Sequence, residues 1–164
     1  MKKLILIRHG KSNWEIPVQD HDRPLKPKGI ENSHRVFSHL IKFLPERFLI
    51  WSSTAKRAAD TAKIFTENLS IPNELVVLKN NLYTFDWKDL TTIIKNCDNS
   101  IPNLIVFGHN NAITDFVNKF GNKFFANVPT SGGIILTFKQ DNWEEISQGE
   151  IEGVFFPKQQ YYAD

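Results

Sequence analysis

The chain has 164 residues, of which 41% are hydrophobic and 23% are charged. This length fits one domain, which buries roughly 70% of the surface of its unfolded chain. The net charge of +2 is too small to indicate a nucleic-acid or membrane partner, and no apolar run reaches the length of a membrane span. Because Cys97 is the only cysteine, an internal disulfide is excluded and a reducing compartment is favoured. These properties predict a single-domain cytoplasmic protein.

Short apolar runs rich in β-branched residues alternate with helical patterns along the chain. In chain order, the predicted elements are a strand at residues 4–7, a surface loop at 14–27, a helix at 28–43, a strand at 48–51, a helix at 54–69, a strand at 75–78, a helix at 86–96, a strand at 104–107, a helix at 112–120, a strand at 134–138 and a last strand near 154–156. Ser53 is predicted to be the N-cap of the second helix. This alternation predicts an α/β fold, with a mostly parallel mixed sheet between two helical layers.

Chemically distinctive residues follow three of the predicted strands. Arg8 and His9 come directly after the first strand, Ser52-Ser53-Thr54 follow the second and lead into Arg57, and His109 follows the fourth. Ligands of such sheets bind beyond the carboxyl ends of the strands. We therefore expect Arg8, His9, Arg57 and His109 to form one site.

These four side chains together suit a phosphoryl group. A guanidinium presents a planar fork of donors to phosphate oxygens, and Arg57 would lie in the first turn of its helix, where free N–H groups attract an anion. A neutral imidazole can be a nucleophile, and neighbouring arginines disfavour protonation of His9. His109 would donate to the developing charge. Taken singly, His9 could equally be a packed histidine, Arg57 would more commonly be a surface charge of its helix, and His109 could be a turn residue after a strand. Only their joint occurrence at the strand ends predicts a phosphate site.

A second phosphate motif is rejected. Gly10-Lys11-Ser12 matches the end of a P-loop, but that motif requires glycine at position 5, where Ile5 stands. The residues before Arg8 have the pattern of a strand, whereas a P-loop needs a flexible cradle around the phosphate at that point.

Five stretches of the chain carry a resemblance to a known family. They lie at residues 6–14, 22–29, 52–62, 82–83 and 107–110. In their order and spacing they resemble the histidine phosphatase superfamily (phosphoglycerate mutase-like), and in particular its short SixA-type branch of phosphohistidine phosphatases. The resemblance implies one histidine phosphatase domain over residues 1–164, with a three-layer α/β/α sandwich. Between Arg57 and His109 there is no room for the cap that many relatives insert.

The resemblance also implies a metal-independent phosphatase that uses no cofactor. His9 would be the nucleophile that becomes phosphorylated, Arg8 and Arg57 would clamp the phosphate, and His109 would complete the pocket. The implied substrate is a phosphorylated protein or a small phosphorylated molecule, with a phosphohistidine protein preferred. A promiscuous small-molecule phosphatase and a weakly active module that binds phosphate or phosphoproteins remain alternatives. The oligomeric state stays open.

The chain departs from the family pattern at the proton donor. Many members carry a carboxylate near the Leu82-Tyr83 segment, and in this branch it usually follows the tyrosine directly, where this chain has Thr84. Asp86 could replace it, but Asp86 is also a good N-cap for the next helix, and that role is preferred. A missing acid favours phosphoramidates, because a leaving imidazole is easily protonated. A site without a cap should be open and suited to a protein surface.

Two further segments have a structural and a functional interpretation. Asp22-Arg23-Pro24-Leu25 is interpreted as an ion pair with a turn that anchors the preceding loop to the helix after Gly29. Residues 129–133 either bring the backbone to the rim of the pocket or form a simple turn before the next strand.

Overall fold

In a computed structural model, which describes residues 1–159, a six-stranded mixed sheet forms the centre of the protein. Its strands are β1 (Lys2–Arg8), β2 (Leu49–Ser53), β3 (Val76–Lys79), β4 (Asn103–Gly108), β5 (Gly133–Phe138) and β6 (Glu150–Phe155). The spatial order is β3-β2-β4-β1-β5-β6. The first four strands of this order are parallel, and β5 and β6 pair antiparallel. The predicted mixed, mostly parallel sheet is confirmed.

Four helices of residues 1–159 connect these strands, and none of them is long and apolar enough to cross a membrane. They are α1 (Pro27–Leu40), α2 (Lys56–Leu69), α3 (Trp87–Lys95) and α4 (Ala112–Phe120). The predicted first helix was too long, since a separate 3-10 turn covers Ile41–Phe43. The last strand begins earlier than predicted, because its exposed residues Glu150 and Glu152 interrupt the apolar pattern that marks only its end.

The predicted N-cap of the second helix is wrong by two residues. Ala55 is the N-cap of α2, whereas Ser53 is the last residue of β2 and pairs with Lys79 of β3. The strand therefore continues two residues beyond its apolar run, which ends at Trp51. The Ser53 hydroxyl still acts locally, because it accepts a hydrogen bond from the Ala55 N–H at 3.1 Å.

The two faces of the sheet carry separate cores. Along β1, Ile5 and Ile7 pack in a cluster with apolar residues of α1 and α2, whereas Leu4 and Leu6 pack with residues of α3 and α4. Alternate residues of a strand point to opposite faces, so a continuous apolar run marks a strand buried on both sides. The predicted three-layer α/β/α sandwich is confirmed.

Sheet order brings the carboxyl ends of β1, β4 and β2 to one edge. Arg8 lies opposite Gly108 in the β1–β4 register, and the next N–H, that of His9, donates to the Gly108 carbonyl at 3.1 Å. The loop before β5 reaches the same edge, since the Ser131 N–H donates to the carbonyls of Arg8 and His9 at 3.1 and 3.0 Å. Residues 129–133 therefore do bring backbone to the strand end that carries His9.

Two helices hold the segment that leaves β1. The Gly10 N–H donates to Thr61 of α2 at 2.9 Å, and the Thr61 hydroxyl donates in turn to the Arg57 carbonyl at 2.6 Å. On the other side α1 approaches so closely that a Cβ at Gly29 would lie 2.3 Å from the Lys11 carbonyl oxygen. These contacts fix the backbone on both sides of residue 10.

A glycine pair tests this close approach. We expect Gly29→Ala to destabilise the protein by about 1–3 kcal/mol, because the added methyl group displaces α1 from the Lys11 backbone. Gly108→Ala is the control, since its Cβ would meet only a side-chain atom of Ile113 at 3.7 Å. Urea unfolding of the two variants gives the comparison. Equal stability of both variants would contradict the packing described for Gly29.

Candidate active site

A cleft of about 520 Å³ lies at the edge of the sheet where β1 and β4 end. It is lined by Arg8, His9, Lys11, Ser12, Trp14, Asp20, Arg23, Lys26, Arg57, Phe85, His109, Asn110 and Thr130. The four residues predicted from the strand ends are all among these. The structure thus brings together in one cleft Arg8, His9, Arg57 and His109.

His9 is buried, and its hydrogen-bond partners indicate which of its two ring nitrogens carries the hydrogen. The carbonyl of Gly10 lies 2.7 Å from Nδ1 and can only accept, so Nδ1 carries the hydrogen. Nε2 therefore keeps its lone pair and accepts from the Arg57 Nε–H at 3.4 Å. Burial, helped by the charges of Arg57 and Arg8, lowers the pKa of His9 from 6.5 to about 3. His9 is thus neutral at physiological pH.

His109 is held by the end of β2. The Ser53 oxygen already accepts from the Ala55 N–H, so its own hydroxyl hydrogen is free to be donated to His109 Nε2 at 2.8 Å. This assignment leaves the hydrogen of His109 on Nδ1, which is buried and has no partner within residues 1–159. Burial, followed by the nearby ring of His9, lowers the pKa of His109 from 6.5 to about 3.

The two predicted arginines differ in their present partners. Arg57, in the first turn of α2, is only 2% exposed, and its terminal nitrogens donate to the carbonyl of Asp20 at 2.7 Å and to its carboxylate at 3.0 Å. Arg8 donates to the Val128 carbonyl at 2.9 Å, and its buried Nε has no partner within the described residues. Arg8 therefore retains donor capacity, whereas that of Arg57 is directed at Asp20.

Asp20 is a site residue that the sequence reasoning missed. Its carboxylate accepts hydrogen bonds from Arg57, from Arg23 at 2.7 Å and from the Tyr83 hydroxyl. Although burial raises the pKa of Asp20, the hydrogen bonds from Tyr83, Arg23 and Arg57 hold it well below its usual range. The loop contains a second aspartate, Asp22, and no periodic pattern distinguishes the two.

Arg23 forms an ion pair, as predicted, but it lies in the wall of the cleft and does not only anchor the loop. Its carboxylate partner is Asp20, three residues earlier, and it also donates to the hydroxyl of Ser12. The guanidinium lies 3.4 Å from the ring centroid of Trp14 and lines the cleft. A purely structural interpretation of Arg23 was therefore too narrow, because the loop folds back and places a third guanidinium in the cleft wall.

Aromatic rings cover His109 on the side of the Leu82-Tyr83 segment. The rings of Tyr83 and Phe85 lie 5.4 and 5.5 Å from the His109 ring. Asp86 is exposed and caps α3, accepting from the Lys88 N–H at 2.9 Å, which confirms the preferred capping role. Phe85, and not Asp86, is among the residues that line the cleft.

The donor set of the cleft matches an oxyanion. Three guanidiniums line it, and among the described residues of the cleft the buried Nε–H of Arg8, the buried Nε–H of Arg23 and His109 Nδ1, a donor in the tautomer assigned above, have no partner. Unpaired buried donors are costly, so a ligand that accepts hydrogen bonds is favoured there. Within residues 1–159, no group of three or more His, Cys, Asp and Glu residues is placed to hold a metal ion. The arrangement can bind a phosphoryl group beside an imidazole lone pair.

Solved structures share this fold over nearly their whole length. SixA from Nakamurella multipartitia matches with 20% identity and a TM-score of 0.78, covering 96% of this chain and 97% of that chain. The protein histidine phosphatase SixA complexed with tungstate has 18% identity and a TM-score of 0.78, covering 94% and 97%. A mycobacterial glucosyl-3-phosphoglycerate phosphatase complexed with VO3 has 14% identity and a TM-score of 0.67, covering 93% and 98%.

Sequence comparison adds a partial relative and a family. A chloroplastic protein of Arabidopsis thaliana is 40% identical over 65 residues, which is 38% of this chain and 29% of that protein. The family model of the histidine phosphatase superfamily (branch 1) matches residues 4–114, which include all four predicted site residues. Since this match spans more than half of the chain, the protein belongs to the histidine phosphatase superfamily.

Proposed function

We propose that this protein is a phosphatase that works through a phosphohistidine intermediate on His9. The observation that carries the proposal is the buried, neutral His9, whose Nε2 lone pair lies beside the Arg57 guanidinium in a cleft with unpaired donors. A nucleophile must be unprotonated, and a transferring phosphoryl group needs positive donors around its oxygens. Membership of the histidine phosphatase superfamily supports the same reaction.

In the first step His9 Nε2 forms a bond to phosphorus while the bond from phosphorus to the leaving group breaks. The leaving group takes that electron pair and a proton from solvent water. In the second step a water oxygen attacks phosphorus, the P–N bond to His9 breaks, and its electron pair returns to Nε2 as inorganic phosphate leaves. The guanidiniums of Arg8 and Arg57 and the Nδ1–H of His109 stabilise the phosphoryl oxygens in both steps.

Phosphate binding would compete with Asp20 for Arg57. Each terminal nitrogen of Arg57 donates one hydrogen bond to Asp20, whose side chain is 41% exposed and which belongs to the loop between β1 and α1. A phosphoryl dianion offers three acceptor oxygens and more charge than a carboxylate. We infer that the phosphate replaces the Asp20 carboxylate on Arg57, so that the ion pair exchanges its anion and no guanidinium is left buried and unpaired.

The preferred substrate is a phosphohistidine protein. The carboxylates near the cleft are poor acids: Asp86 is outside the lining, and the lowered pKa of Asp20 keeps it ionised. A leaving imidazole needs less help from an acid than an alkoxide does. Between α2 and β4 the chain builds only β3, α3 and short turns, so residues 1–164 are proposed to act as one domain without a cap.

Small phosphorylated molecules are the second candidate substrates. A structural neighbour is a glucosyl-3-phosphoglycerate phosphatase, and the cleft of about 520 Å³ has room for a metabolite.

We further propose a cytoplasmic location, because the single thiol of Cys97 is free and buried, and its pKa is raised to about 11 by burial.

The first test removes the nucleophile. His9→Ala should lower phosphate release from a phosphohistidine protein and from an aryl phosphate by at least about 10³-fold, because no other lone pair replaces Nε2. The control is His34→Ala, an exposed histidine of α1 whose ring contacts Asn68. Labelled phosphate trapped on the wild-type chain by rapid acid-free quench should map to His9. If wild type binds phosphate and releases none, the protein is a binding module.

A second test uses pH. Burial lowers the pKa of His9 and of His109 to about 3, below the unfolded value of 6.5, so only the unfolded chain takes up protons between these limits. The free energy of unfolding should therefore fall as pH decreases from 6.5 to 5, by up to about 1.4 kcal/mol per pH unit for each histidine. Urea unfolding of wild type and His9→Gln should show a shallower slope for the variant. Parallel slopes would contradict a neutral, buried His9.

A third test separates the two roles of Asp86. Asp86→Ala should cost about 1 kcal/mol of stability through loss of the α3 N-cap, whereas Asp86→Asn keeps a capping oxygen and should cost little. The kcat of both variants should equal that of wild type, measured with an aryl phosphate under conditions where both are folded. A tenfold or greater loss of kcat in Asp86→Asn would make Asp86 the proton donor.

A further inference from the structure

A second cleft, of about 560 Å³, adjoins the candidate active site. We call it the lysine cleft and define it by Lys11, Lys28, Lys158 and Phe156 together with their neighbours along its wall. The two clefts have three residues in common, namely Arg8, Lys11 and Thr130. A ligand whose phosphate lies against Arg8 therefore has the lysine cleft directly beside it.

The lysine cleft carries unbalanced positive charge. Besides Arg8 it is lined by the ammonium-bearing residues Lys11, Lys28 and Lys158, and none of the lining residues in the described part of the chain is acidic. Within residues 1–159, Lys11 and Lys158 form no ion pair, and Lys28 has only a long exposed contact of 3.8 Å with Glu31. Since the whole chain has a net charge of only +2, this density of cations is local. Clefts lined by one sign of charge concentrate the opposite ion.

The start of α1 strengthens the same field. Lys26 is the N-cap of α1 and supplies no side-chain cap, and the first turn contains no acidic residue. Lys28 and Asn32 of this helix line the cleft, so the positive end of a helix of 14 residues lies near the ammonium groups. An acidic residue in the first turn would be stabilising, as Asp89 is placed in α3 and Asp115 in α4. The positive end of α1 is therefore not compensated by an acidic side chain of its own first turn.

The wall opposite α1 is apolar. Phe156 and Pro157 follow β6, and the ring of Phe156 packs 5.9 Å from that of Phe125. Cations above an apolar wall suit a side chain that has both methylene groups and a terminal charge, as glutamate has. Four cations also exceed what one carboxylate would neutralise, whereas an acidic protein surface supplies several.

From this geometry we propose that the lysine cleft binds carboxylate side chains of a polypeptide substrate, adjacent to the phosphorylated residue whose phosphate enters the active site. The inference rests on the proposed phosphatase function and adds to it a class of substrate: phosphoproteins with acidic residues beside the phosphorylation site. Charge complementarity of this kind acts chiefly on encounter and on the stability of the complex, and it weakens with added salt.

The experiment compares two phosphohistidine peptides that differ only in flanking residues, glutamate in one and glutamine in the other, with an aryl phosphate as a third substrate. Wild type should have a kcat/KM about tenfold higher for the acidic peptide, and this preference should shrink as salt is raised from 50 to about 500 mM. A wild-type ratio near one would overturn the proposal.

Reversing the charge of two lysines tests whether the preference for the acidic peptide arises in the lysine cleft. The double variant Lys28→Glu/Lys158→Glu should lose the preference for the acidic peptide and keep the wild-type rate with the aryl phosphate, which does not reach the lysine cleft. The control is Lys42→Glu/Lys63→Glu, which makes the same change of charge at exposed lysines outside both clefts. Equal loss in test and control variants would show a non-specific charge effect and would overturn the proposal.

Two further measurements distinguish a failure of the lysine-cleft proposal from a failure of the proposed phosphatase function. Fluorescence anisotropy with His9→Ala measures binding of both peptides without turnover, so the acidic preference is tested even if the protein does not hydrolyse them. An aryl phosphate that carries one carboxylate tests the small-molecule alternative. If that compound shows the full lysine-dependent gain and the acidic peptide shows none, the occupant of the lysine cleft is not a polypeptide. Absence of aryl phosphate hydrolysis by wild type counts against the phosphatase function alone.

Discussion

The contact between Arg57 and His9 is the interaction on which the site depends. The Arg57 Nε–H donates to His9 Nε2 at 3.4 Å, and both side chains are buried. A buried guanidinium next to an imidazole disfavours a second positive charge, so the ring stays neutral and its lone pair stays available. Thr61 connects the two backbones, since it accepts from Gly10 and donates to the Arg57 carbonyl. The same packing thus sets both the geometry and the protonation state.

Burying Arg57 is tolerated only because an anion accompanies it. That anion is Asp20, whose carboxylate also accepts hydrogen bonds from Arg23 and Tyr83. An unpaired buried cation would cost several kcal/mol, of the order of 3–5. The carboxylate therefore stabilises the buried guanidinium. In the proposed reaction, phosphate would replace Asp20 as the anion on Arg57, and Asp20 would take back these donors as the product leaves.

The short connection between α2 and β4 bears on the proposed substrates. This part of the chain forms β3, α3 and short turns, without an inserted cap element. Under the proposed function, substrate recognition would depend on two surfaces: the aromatic rings of Tyr83 and Phe85 around His109, of which Phe85 lines the cleft, and the lysine cleft beyond Arg8. The first could stack on the ring of a phosphohistidine and the second could pair with acidic side chains, as we propose for a polypeptide substrate.

The sequence by itself determined the layered fold and the four residues at strand ends. Apolar runs and helical periodicity are local patterns, and parallel strands necessarily bring their carboxyl ends to one edge. The sequence was therefore enough to predict that Arg8, His9, Arg57 and His109 lie together. Only the tertiary structure decided the role of Asp20. It lies in an aperiodic loop, and its partners Arg57 and Tyr83 are 37 and 63 residues away along the chain. Contacts of that kind depend on how the loop folds back over the sheet edge, which no local pattern encodes.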